Sequence, residues 1–399
     1  MSEDLPALRL KKHEERRLRA GHLWIYSNEV DIAHTPLKHF APGQAVRIED
    51  YRGHPLGTGY VNPHSLICAR LVSRDPKHVL DRSLLIHRLN IALSLRERLF
   101  AAPFYRLVHG EGDALPGLVV DRFDDVVVAQ ITTAGMERQK EAIVEALEKV
   151  LKPSAIVLRN DSGTRKPEGL ESYVETAAGN LAETVTLVEN GARFAIDPLG
   201  GQKTGWFFDH RMNRARMQRY AKGLRVLDVF SYVGGWGIQA AVAGAEEVTC
   251  IESSAAAIDR LHANAELNGL GERVISVQGD AFEALKQLRE ERQRFDLVIV
   301  DPPAFIKRKK DFSEGLNAYH RINQMALQVL NKGGYLISAS CSWHLGREQL
   351  RDTLLKASRH VDRAVQITEQ GHQGPDHPVH PAIPETDYLK AFFLRVLAS

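Results

Sequence analysis

The stretch Arg225-Val-Leu-Asp-Val-Phe-Ser-Tyr-Val-Gly-Gly-Trp-Gly237 decides the fold of this chain. In it, an apolar run ends in Asp228 and is followed by a cluster of glycines. The same arrangement, an apolar run closed by an acid, returns at Cys250-Ile-Glu252, at Gly279-Asp280 and at Phe295-Asp-Leu-Val-Ile-Val-Asp301. Acids at successive strand ends, with glycines after the first, are typical of a nucleotide-type cofactor that lies across the carboxyl edge of a parallel sheet.

The C-terminal half of the chain alternates β-rich apolar runs with helical spacers. This alternation predicts parallel strands joined by right-handed crossovers. The last run follows its predecessor without a clear helix, so we expect it to enter the sheet antiparallel. The pattern therefore predicts an α/β domain with a mostly parallel seven-stranded sheet, with strands near residues 225–230, 246–252, 274–280, 296–301, 334–340, 364–370 and 388–397.

Two regions of different character precede this domain, which we assign to residues 184–399. Residues 1–74 contain short β-rich runs between Pro, Gly and Asp residues, which predicts a small β-barrel. Residues 75–183 mix helical and strand patterns, which predicts a central α+β domain. The elements expected there are helices over 80–99 and 137–151, a hairpin around Asp124-Asp125 and a strand over 155–159.

The composition is that of a globular protein, with 399 residues, 44% apolar residues and 26% charged residues. A net charge of +2 neither requires nor excludes a nucleic-acid partner. Three cysteines without a C-x-x-C pair indicate neither a disulfide framework nor a zinc site, and they favour a reducing cytoplasm. We interpret Cys68 and Cys250 as small buried hydrophobes. With no apolar core of a signal peptide at the N-terminus and no run of about 18 apolar residues, we expect no membrane association.

The strand-end acids can be matched to parts of one cofactor. Glu252 can accept hydrogen bonds from both hydroxyls of a ribose, and Asp280 is at the position expected to meet an adenine amino group. Asp228 and the loop amides can hold a zwitterionic tail, while the glycines allow close approach of the backbone. S-Adenosylmethionine fits these features best. Asp209 and Arg211, which precede the first strand, could flank the same cofactor.

Two alternatives compete with this interpretation. Gly235-Trp-Gly-Ile-Gln-Ala240 matches the dinucleotide pattern G-x-G-x-x-[GA], but an NAD enzyme would leave Asp280 and the Asp-Pro-Pro motif unexplained. The second alternative is that the acids only cap helices, and for Asp209 a helix N-cap is the main alternative. Three acids on consecutive strand ends, together with the glycines, favour a ligand.

The chemistry is indicated by Asp301-Pro-Pro-Ala-Phe305 and by Cys341, which should stand on neighbouring strand ends. The first motif alone would suggest methylation of an exocyclic amine. Carbon 5 of a pyrimidine is a weak nucleophile, and addition of a thiolate to carbon 6 activates it by covalent catalysis. Cys341 is positioned to be that nucleophile, with Asp301 hydrogen-bonded to the ring-nitrogen edge. The alternative for Cys341 is again a small buried hydrophobe.

Residues around this loop could contact RNA. Pro302 and Pro303 would fix the loop where a base meets the cofactor, and Phe305 could stack on that base or equally belong to the core. The run Lys307-Arg308-Lys309-Lys310 could contact phosphates, although such a run is usually a solvated face. The last histidines of the chain lie in a Pro-rich loop and are interpreted as ordinary loop residues rather than metal ligands: His372, His377 and His380.

The chain resembles the large-subunit ribosomal RNA methyltransferase I family, whose members are cytosine-C5 methyltransferases of 23S ribosomal RNA. The resemblance covers essentially the whole chain and rests on Gly21-His-Leu-Trp-Ile-Tyr26, Gly112-Asp-Ala-Leu-Pro-Gly-Leu-Val-Val-Asp121, Thr204-Gly-Trp-Phe-Phe-Asp-His-Arg-Met-Asn-Arg214, Asp301-Pro-Pro-Ala-Phe305, Ser340-Cys-Ser342 and Asp376-His-Pro378.

The resemblance implies an RNA-binding PUA domain over 1–74, a central α+β domain over 75–183 and a class I Rossmann-like methyltransferase domain over 184–399. It implies S-adenosyl-L-methionine as the cofactor and 23S ribosomal RNA as the partner. Similar chains methylate a guanine, and Cys341 favours cytosine. Glutamine is commoner in the family where His210 stands here, which puts a polar contact at that position in doubt.

The predicted site is thus a set of three groups. An amine- or guanine-methylating enzyme with a structural Cys341, and an RNA-binding protein without catalysis, are the alternative functions. Predicted as catalytic are Cys341 and Asp301; as cofactor-binding Asp209, Arg211, Asp228, Phe230, Gly234, Gly235, Glu252, Asp280 and Asp301; as RNA-binding Pro302, Pro303, Phe305, Lys307, Arg308, Lys309 and Lys310; no metal ligand is predicted.

Overall fold

The computed structural model describes residues 5–182 and 184–397. The chain divides into two compact units. The first comprises the chain up to Val185, with Ile196–Phe208 and Pro375–Thr386, and the second comprises Thr186–Ala195, Asp209–Gly374 and the chain from Asp387 onward. The predicted division into three domains stays a prediction, and Glu183, at its second boundary, lies outside the described residues.

The first unit begins with a five-stranded sheet at the position where the small β-barrel is predicted. The strand order is β1-β3-β4-β5-β2, and the pairing is antiparallel except between β1 and β3. Two glycines of β4 allow β5 to approach closely, because a Cβ at Gly57 or Gly59 would lie about 2 Å from a backbone carbonyl oxygen of β5. The elements are β1 (Ala7–Arg9), α1 (Glu15–Arg19), β2 (Trp24–Ile25), β3 (Gln44–Glu49), β4 (Pro55–Val61) and β5 (Ala69–Ser73).

A second five-stranded sheet of the first unit has the order β10-β9-β8-β7-β6. The predicted hairpin is present, and Asp124 in its turn has a left-handed backbone (φ 60°). The predicted helix over 137–151 is two helices, because Gln139 between them leaves helical geometry (φ −102°, ψ 16°). The elements are α2 (Arg82–Leu99), β6 (Phe104–His109), β7 (Leu118–Phe123), β8 (Val126–Ile131), α3 (Ala134–Glu137), α4 (Lys140–Leu151), β9 (Ala155–Asn160) and β10 (Tyr173–Gly179).

A two-stranded hairpin, β11 (Val185–Glu189) and β12 (Ala192–Ile196), precedes the large sheet. Its turn is Asn190-Gly191, and both residues have positive φ (51° and 83°). Asn-Gly is the preferred pair for such a turn because neither residue pays a large steric cost there.

The second unit contains a seven-stranded sheet of order β15-β14-β13-β16-β17-β19-β18. The pairings from β15 to β17 are parallel, and β19 is antiparallel to both β17 and β18. The elements are α5 (Arg211–Ala221), β13 (Arg225–Val229), α6 (Gly237–Val242), β14 (Glu247–Glu252), α7 (Ala255–Leu267), β15 (Val274–Gln278), α8 (Ala281–Glu290), β16 (Phe295–Val300), α9 (Phe312–Val329), β17 (Leu330–Ser340), α10 (Arg347–His360), β18 (Val365–Gly371) and β19 (Lys390–Val396).

The prediction of a mostly parallel seven-stranded α/β sheet is confirmed, including the antiparallel last strand. One strand differs by more than three residues, since β17 begins at Leu330 rather than near 334. The order of the strands reverses between β13 and β16, which is the point where ligands bind in sheets of this type. This reversal brings together the loop after Val229 and the loop after Val300.

Apolar side chains of β13, β16 and β17 pack with helices α8, α9 and α10 in the main core of this unit. The core supports the strand ends from one side of the sheet. Among the described residues, no helix combines the length and the apolar character that crossing a membrane requires.

Candidate active site

Asp228 lies at the strand-order reversal and is completely buried. Its Oδ2 accepts a hydrogen bond from the backbone N–H of Gly237 at 2.8 Å, while Oδ1 is buried without a donor from the described residues. Burial raises the pKa of Asp228 to about 7; the Gly237 amide opposes this shift, and the charges of Asp301 and Glu252 add to it. A buried acceptor without a partner is unusual in a folded protein, and a ligand donor would satisfy it.

The glycines after β13 have different structural roles. Gly234 has a left-handed backbone (φ +88°), and a Cβ there would lie 2.6 Å from Ile238. A Cβ at Gly237 would lie 2.7 Å from the Cys250 sulfur, so this glycine allows α6 to pack against β14. Gly235 is half-buried in the loop between β13 and α6.

Two residues in the same loop adopt left-handed backbone conformations although they are not glycines. These are Phe230 (φ 69°) and Tyr232 (φ 50°). The N–H of Phe230 donates to the carbonyl of Ile251, and the N–H of Tyr232 donates to Oε2 of Glu252, so β14 holds the loop in this shape. Strained backbone of this kind is concentrated at ligand-binding sites.

Glu252 ends β14, as predicted. Asp280 is predicted to end the third strand, but β15 ends at Gln278 and Asp280 lies directly before α8. Both carboxylates accept hydrogen bonds from backbone amides. Glu252 accepts hydrogen bonds from Ser253 and Ser254 through Oε1. Asp280 is the N-cap of α8, and its Oδ1 accepts from Phe282 at 2.9 Å and from Glu283 at 3.2 Å. The capping role weighed from the sequence is therefore present at Asp280, through one of its two oxygens.

Asp209 and Arg211 are buried before the first strand of the sheet. Asp209 accepts a hydrogen bond from the hydroxyl of Tyr388 at 2.7 Å. The Nε of Arg211 lies 3.4 Å from a carboxylate oxygen of Glu189, in the hairpin that precedes the sheet. The N-cap alternative for Asp209 is wrong, because α5 begins at Arg211 and the residue at its N-cap is His210.

Asp301, directly after β16, is bound by two aromatic side chains. The indole N–H of Trp236 donates to Oδ2 at 3.0 Å, and Nε2 of His210 lies 3.2 Å from Oδ1. Burial alone would raise the pKa of Asp301, but His210, through its charge when the ring is protonated and through its hydrogen bond, and Trp236, through its hydrogen bond, lower it below its ordinary value. The carboxylate therefore stays ionised at neutral pH.

The orientation of His210 is fixed by Asn213, on the first turn of α5. The amide nitrogen of Asn213 lies 3.2 Å from Nδ1 of His210 and 3.1 Å from the carbonyl oxygen of His372. Because an amide nitrogen can only donate, Nδ1 accepts and Nε2 carries the proton that points at Asp301. His210 thus makes the polar contact that the family pattern put in doubt.

Cys341 follows β17, whose neighbour β16 ends just before Asp301. The two residues therefore follow neighbouring parallel strands, as predicted from the sequence. Cys341 is partly exposed, whereas Cys68 and Cys250 are buried, as expected of small hydrophobes. Burial raises the pKa of Cys68 to about 12 and the pKa of Cys250 well above its ordinary value, so neither is a reactive thiol.

Both neighbours of Cys341 are held by a buried hydroxyl network. The hydroxyl of Tyr319, on α9, bonds to Ser340 and to Ser342, each at 2.9 Å. The Ser342 hydroxyl also accepts from the backbone N–H of Ile306 at 3.2 Å. Since Ile306 continues the Asp-Pro-Pro loop, this network links the two loops that carry Asp301 and Cys341.

A buried lysine binds the same turn. Lys390, the first residue of β19, donates to the carbonyl oxygens of Ser342 and Leu345, each at 2.7 Å. Neither Lys390 nor Tyr319 is part of a sequence motif, so their contacts with the Cys341 turn could not be predicted before the packing of distant elements was known. Trp236 lies inside the glycine-rich stretch, but nothing in the sequence indicates its hydrogen bond to Asp301.

The predicted RNA-contacting residues have different environments. Pro302 is buried and Pro303 is exposed. Phe305 packs against Tyr319 with ring centroids 4.9 Å apart, and against Phe230 and Phe282 at 6.3 Å, which is the environment expected of the core alternative. The four basic residues that follow it are all exposed: Lys307, Arg308, Lys309 and Lys310. The Arg308 side chain pairs with Asp311.

The histidines of the Pro-rich loop make ordinary polar contacts. His372 bonds through Nδ1 to the carbonyl of Gln373 at 2.7 Å, and His377 lies 3.0 Å from Asp376. The backbone N–H of Ala382 donates to Nδ1 of His380 at 3.2 Å. In the described part of the chain, no group of three or more His, Cys, Asp or Glu side chains is arranged to hold a metal ion.

Comparison with known proteins identifies the family. The model of an S-adenosylmethionine-dependent methyltransferase matches residues 105–395, and the model of a PUA-like domain matches residues 8–74. The ribosomal RNA large subunit methyltransferase I of Erwinia tasmaniensis is 36% identical over 393 residues, which cover 97% of this chain and 98% of that protein. The chain belongs to the ribosomal RNA large subunit methyltransferase I family.

Other members and solved structures agree with this assignment. The family member of Vibrio cholerae is 35% identical over 400 residues, covering 98% of this chain and all of that protein. A solved methyltransferase structure complexed with SAH has the same fold, with a TM-score of 0.84 over 98% of this chain and 23% identity. A Streptococcus mutans protein, described as SAM-dependent, aligns with a TM-score of 0.82 and 21% identity, again over 98% of this chain.

The family fixes the cofactor as S-adenosylmethionine, and the NAD alternative is wrong. The residues present fit this cofactor, because Asp228 offers a buried acceptor without a donor and the acids of neighbouring strands lie along one edge. Asp228 would hold the amino acid part, while Glu252 and Asp280 would hold the ribose and adenine. When bound, S-adenosylmethionine supplies an electrophilic methyl group.

Proposed function

We propose that this protein methylates carbon 5 of a cytosine in 23S ribosomal RNA, with Cys341 as the covalent nucleophile. Its relatives are named as methyltransferases of the large ribosomal subunit RNA, which supports this substrate class. The observation that carries the proposal is the juxtaposition of two neighbouring strand ends. One bears an ionised carboxylate, Asp301, and the other bears the partly exposed Cys341.

In the proposed reaction, the Cys341 thiolate adds to carbon 6 of the cytosine. The new S–C bond breaks the carbon 5–carbon 6 double bond and makes carbon 5 nucleophilic. Carbon 5 would then take the methyl group as the S–CH3 bond of the donor breaks and leaves its electron pair on the donor sulfur. A base removes the proton from carbon 5, and the double bond re-forms as the thiolate leaves. The cysteine is regenerated, so atoms and electrons balance over the cycle.

Asp301 would act at the ring-nitrogen edge of the base. Because His210 and Trp236 keep this carboxylate ionised, it can accept a hydrogen bond but cannot donate one. Ring nitrogen 3 of cytosine would take a proton from solvent, and a carboxylate that accepts from the resulting N–H favours the protonated ring. The proton would return to solvent when the thiolate leaves. The protonated ring is more susceptible to thiolate addition at carbon 6, so His210 and Trp236 would contribute by orienting Asp301.

The target base must leave its stack to reach both residues, by base flipping. The exposed run Lys307 to Lys310 would contact the phosphates beside the loop, and Pro303 would face the base. Phe305 would stabilise the Asp-Pro-Pro loop through its packing against Tyr319. The PUA-like region, residues 8–74, would add further RNA contacts.

We also propose that the protein works in the cytoplasm. Cys68, Cys250 and Cys341 are thiols rather than members of disulfides, as expected in a reducing compartment. The substrate class inferred from its relatives is found there as well. A fractionation of cells that express the tagged full chain would test this, with ribosomal protein as the marker.

The deciding experiment replaces Cys341 with serine and measures transfer of labelled methyl groups to a 23S ribosomal RNA transcript. We expect at least about a 1,000-fold loss of turnover, because the covalent step is removed. Cys68→Ala is the matched control, since it removes a thiol that is buried and unreactive. Unchanged turnover in the Cys341→Ser protein would exclude the covalent mechanism.

A second measurement separates cytosine from other target bases. Mass analysis of the methylated nucleoside should give 5-methylcytidine. RNA with 5-fluorocytosine should trap the wild-type protein covalently, because the fluorine cannot be removed as a proton is. A methylated guanosine, or a methyl group on an exocyclic amine, would instead support the alternative enzyme in which Cys341 is only structural.

A further inference from the structure

Lys390 is a buried cation next to the proposed nucleophile. It is 5% exposed and is paired in register with Ser340, the residue before Cys341, across β17 and β19. Burying an ammonium group is costly unless other groups compensate its charge. The groups that compensate the buried charge of Lys390 therefore indicate the role of this residue.

Backbone carbonyls supply part of this compensation. Two of the three N–H donors of Lys390 bond to the carbonyl oxygens of Ser342 and Leu345, both at 2.7 Å. These bonds fix the turn that begins at Cys341. Within the described part of the chain, Lys390 forms no direct ion pair with a carboxylate, and the charge of Asp387 acts on it without such a contact.

The charged groups that face Lys390 come from three elements. Burial lowers the pKa of Lys390 to about 8; the charges of Cys341 and Asp387 oppose this shift, and the charge of Arg347 adds to it. Among these charges, Cys341 has the largest effect on the pKa of Lys390. Besides Lys390, Tyr319 also faces Cys341. The pKa of Tyr319 is raised mainly by burial, so its phenol stays neutral near pH 7.

We propose that Lys390 is a positioning residue that holds the Cys341 turn and keeps Cys341 in its thiolate form. The proposal deepens the proposed function, on which its catalytic meaning rests. An ammonium group favours a nearby thiolate, and the thiolate favours the ammonium group by the same free energy. The thiol loses its proton to solvent, and the resulting charge pair replaces a buried cation without an anionic partner.

The same pair has a consequence during the reaction. When the thiolate adds to carbon 6, its negative charge moves into the base and Lys390 loses its anionic neighbour. When the S–C bond breaks, the electron pair returns to sulfur beside the ammonium group. Lys390 therefore makes the cysteine a better leaving group in the last step as well as a thiolate in the first.

The first test measures the acidity of Cys341 without RNA or cofactor. The rate of alkylation of Cys341 by iodoacetamide is followed by mass spectrometry as a function of pH in the full chain. In Lys390→Met, we expect the midpoint of the pH profile to rise by about 1 pH unit or more, the range expected when a nearby opposite charge is lost. Lys390→Arg should keep most of the wild-type profile.

Lys356→Met is the matched control, since Lys356 is exposed on α10 and the same charge is removed. A lysine that only fixes the turn through carbonyl bonds would leave the alkylation midpoint unchanged. An unchanged midpoint in Lys390→Met that binds S-adenosylmethionine normally would overturn the proposal.

A reciprocal measurement does not depend on the folding of Lys390→Met. In Cys341→Ala, the thiolate is absent, so the pKa of Lys390 should fall further below its wild-type value. The pKa can be followed by NMR of carbon-13 in the lysine ε-position, with the resonance assigned through Lys390→Arg. If the pKa of Lys390 is the same with and without Cys341, the two groups are not coupled.

The outcomes separate this inference from the proposed function. If Cys341→Ser retains methyl transfer, the covalent mechanism fails, whatever the alkylation profile shows. If Cys341→Ser is inactive but both pH midpoints are unmoved, the mechanism stands and the role of Lys390 fails. If both effects appear, turnover of Lys390→Met should fall mainly below pH 8 and recover as the pH rises.

Discussion

The two halves of the sheet edge are built differently. Where β13, β14 and β15 end, the acids are held by backbone amides of the loops and helix starts at this edge. These amides are Gly237 for Asp228, Tyr232, Ser253 and Ser254 for Glu252, and Phe282 and Glu283 for Asp280. Where β16 and β17 end, the two residues proposed to react, Asp301 and Cys341, depend on side chains from distant elements.

The distant side chains act on both reactive residues. Asp301 is oriented by His210 and Trp236. The turn that carries Cys341 is held by Tyr319 and Lys390. Local amide bonds require only the right loop, so any ligand with matching donors can use the first half. Long-range contacts form only in the complete fold, so the geometry of the second half depends on the packing of α5, α9 and β19.

The largest expected effect tests the cofactor half through stability. Asp228→Asn should stabilise the cofactor-free protein at pH 8 by up to about 4 kcal/mol, from about three units of pKa at about 1.4 kcal/mol each. Since the folded pKa is raised, the wild-type stability falls as the pH rises from about 4 to about 7, and the variant should lose this dependence. Urea unfolding at pH 5 and pH 8 measures the difference.

The same variant should bind S-adenosylmethionine more weakly, as calorimetry would show. Asp259→Asn, an exposed position on α7, is the control for both measurements. Equal stability of the Asp228→Asn and wild-type proteins at both pH values would mean that ionising the buried Asp228 carboxylate does not destabilise the cofactor-free protein, and would contradict this prediction.

The next effect tests the reaction half. Asp301→Asn should lower turnover about 100-fold while leaving the affinity for S-adenosylmethionine nearly unchanged, because a fixed charge at the reacting base is lost. Steady-state kinetics with Asp352→Asn as a surface control would measure it. His210→Gln should lose far less, since an amide N–H can still donate to Asp301. If the affinity for S-adenosylmethionine falls as much as turnover does, Asp301 serves to bind the cofactor rather than the reacting base.

The smallest expected effect concerns the hydroxyl network. Tyr319→Phe removes the hydroxyl between Ser340 and Ser342 and should cost about 1–2 kcal/mol of unfolding free energy. Turnover should fall several-fold, with cofactor affinity unchanged. Thermal unfolding and single-turnover rates would be compared with those of Tyr335→Phe, on β17, whose ring packs at a tilted angle against Tyr220. A Tyr319→Phe protein as active as wild type would show that the Cys341 turn holds its shape without this network.

Much of this molecule is readable from the sequence because local patterns carry it. The alternation of apolar runs and helical spacers predicts all seven strands, and the missing helix before β19 predicts its antiparallel direction. The acids at strand ends and the glycines after Asp228 predict the cofactor edge, since strand ends and tight turns are local features. That Cys341 and Asp301 follow neighbouring strands can be predicted from the order of the strands alone.

The remaining features depend on contacts across the sequence. Phe305 lies in an aromatic cluster with Tyr319, because apolar neighbours from other elements compete for its ring in the folded state. Lys390 has no motif, and its role arises only when β19 pairs with β17. Residue types and spacing thus determine the fold and the candidate reactive groups. The ionisation and orientation of those groups are decided by tertiary structure, because burial and long-range charges set them.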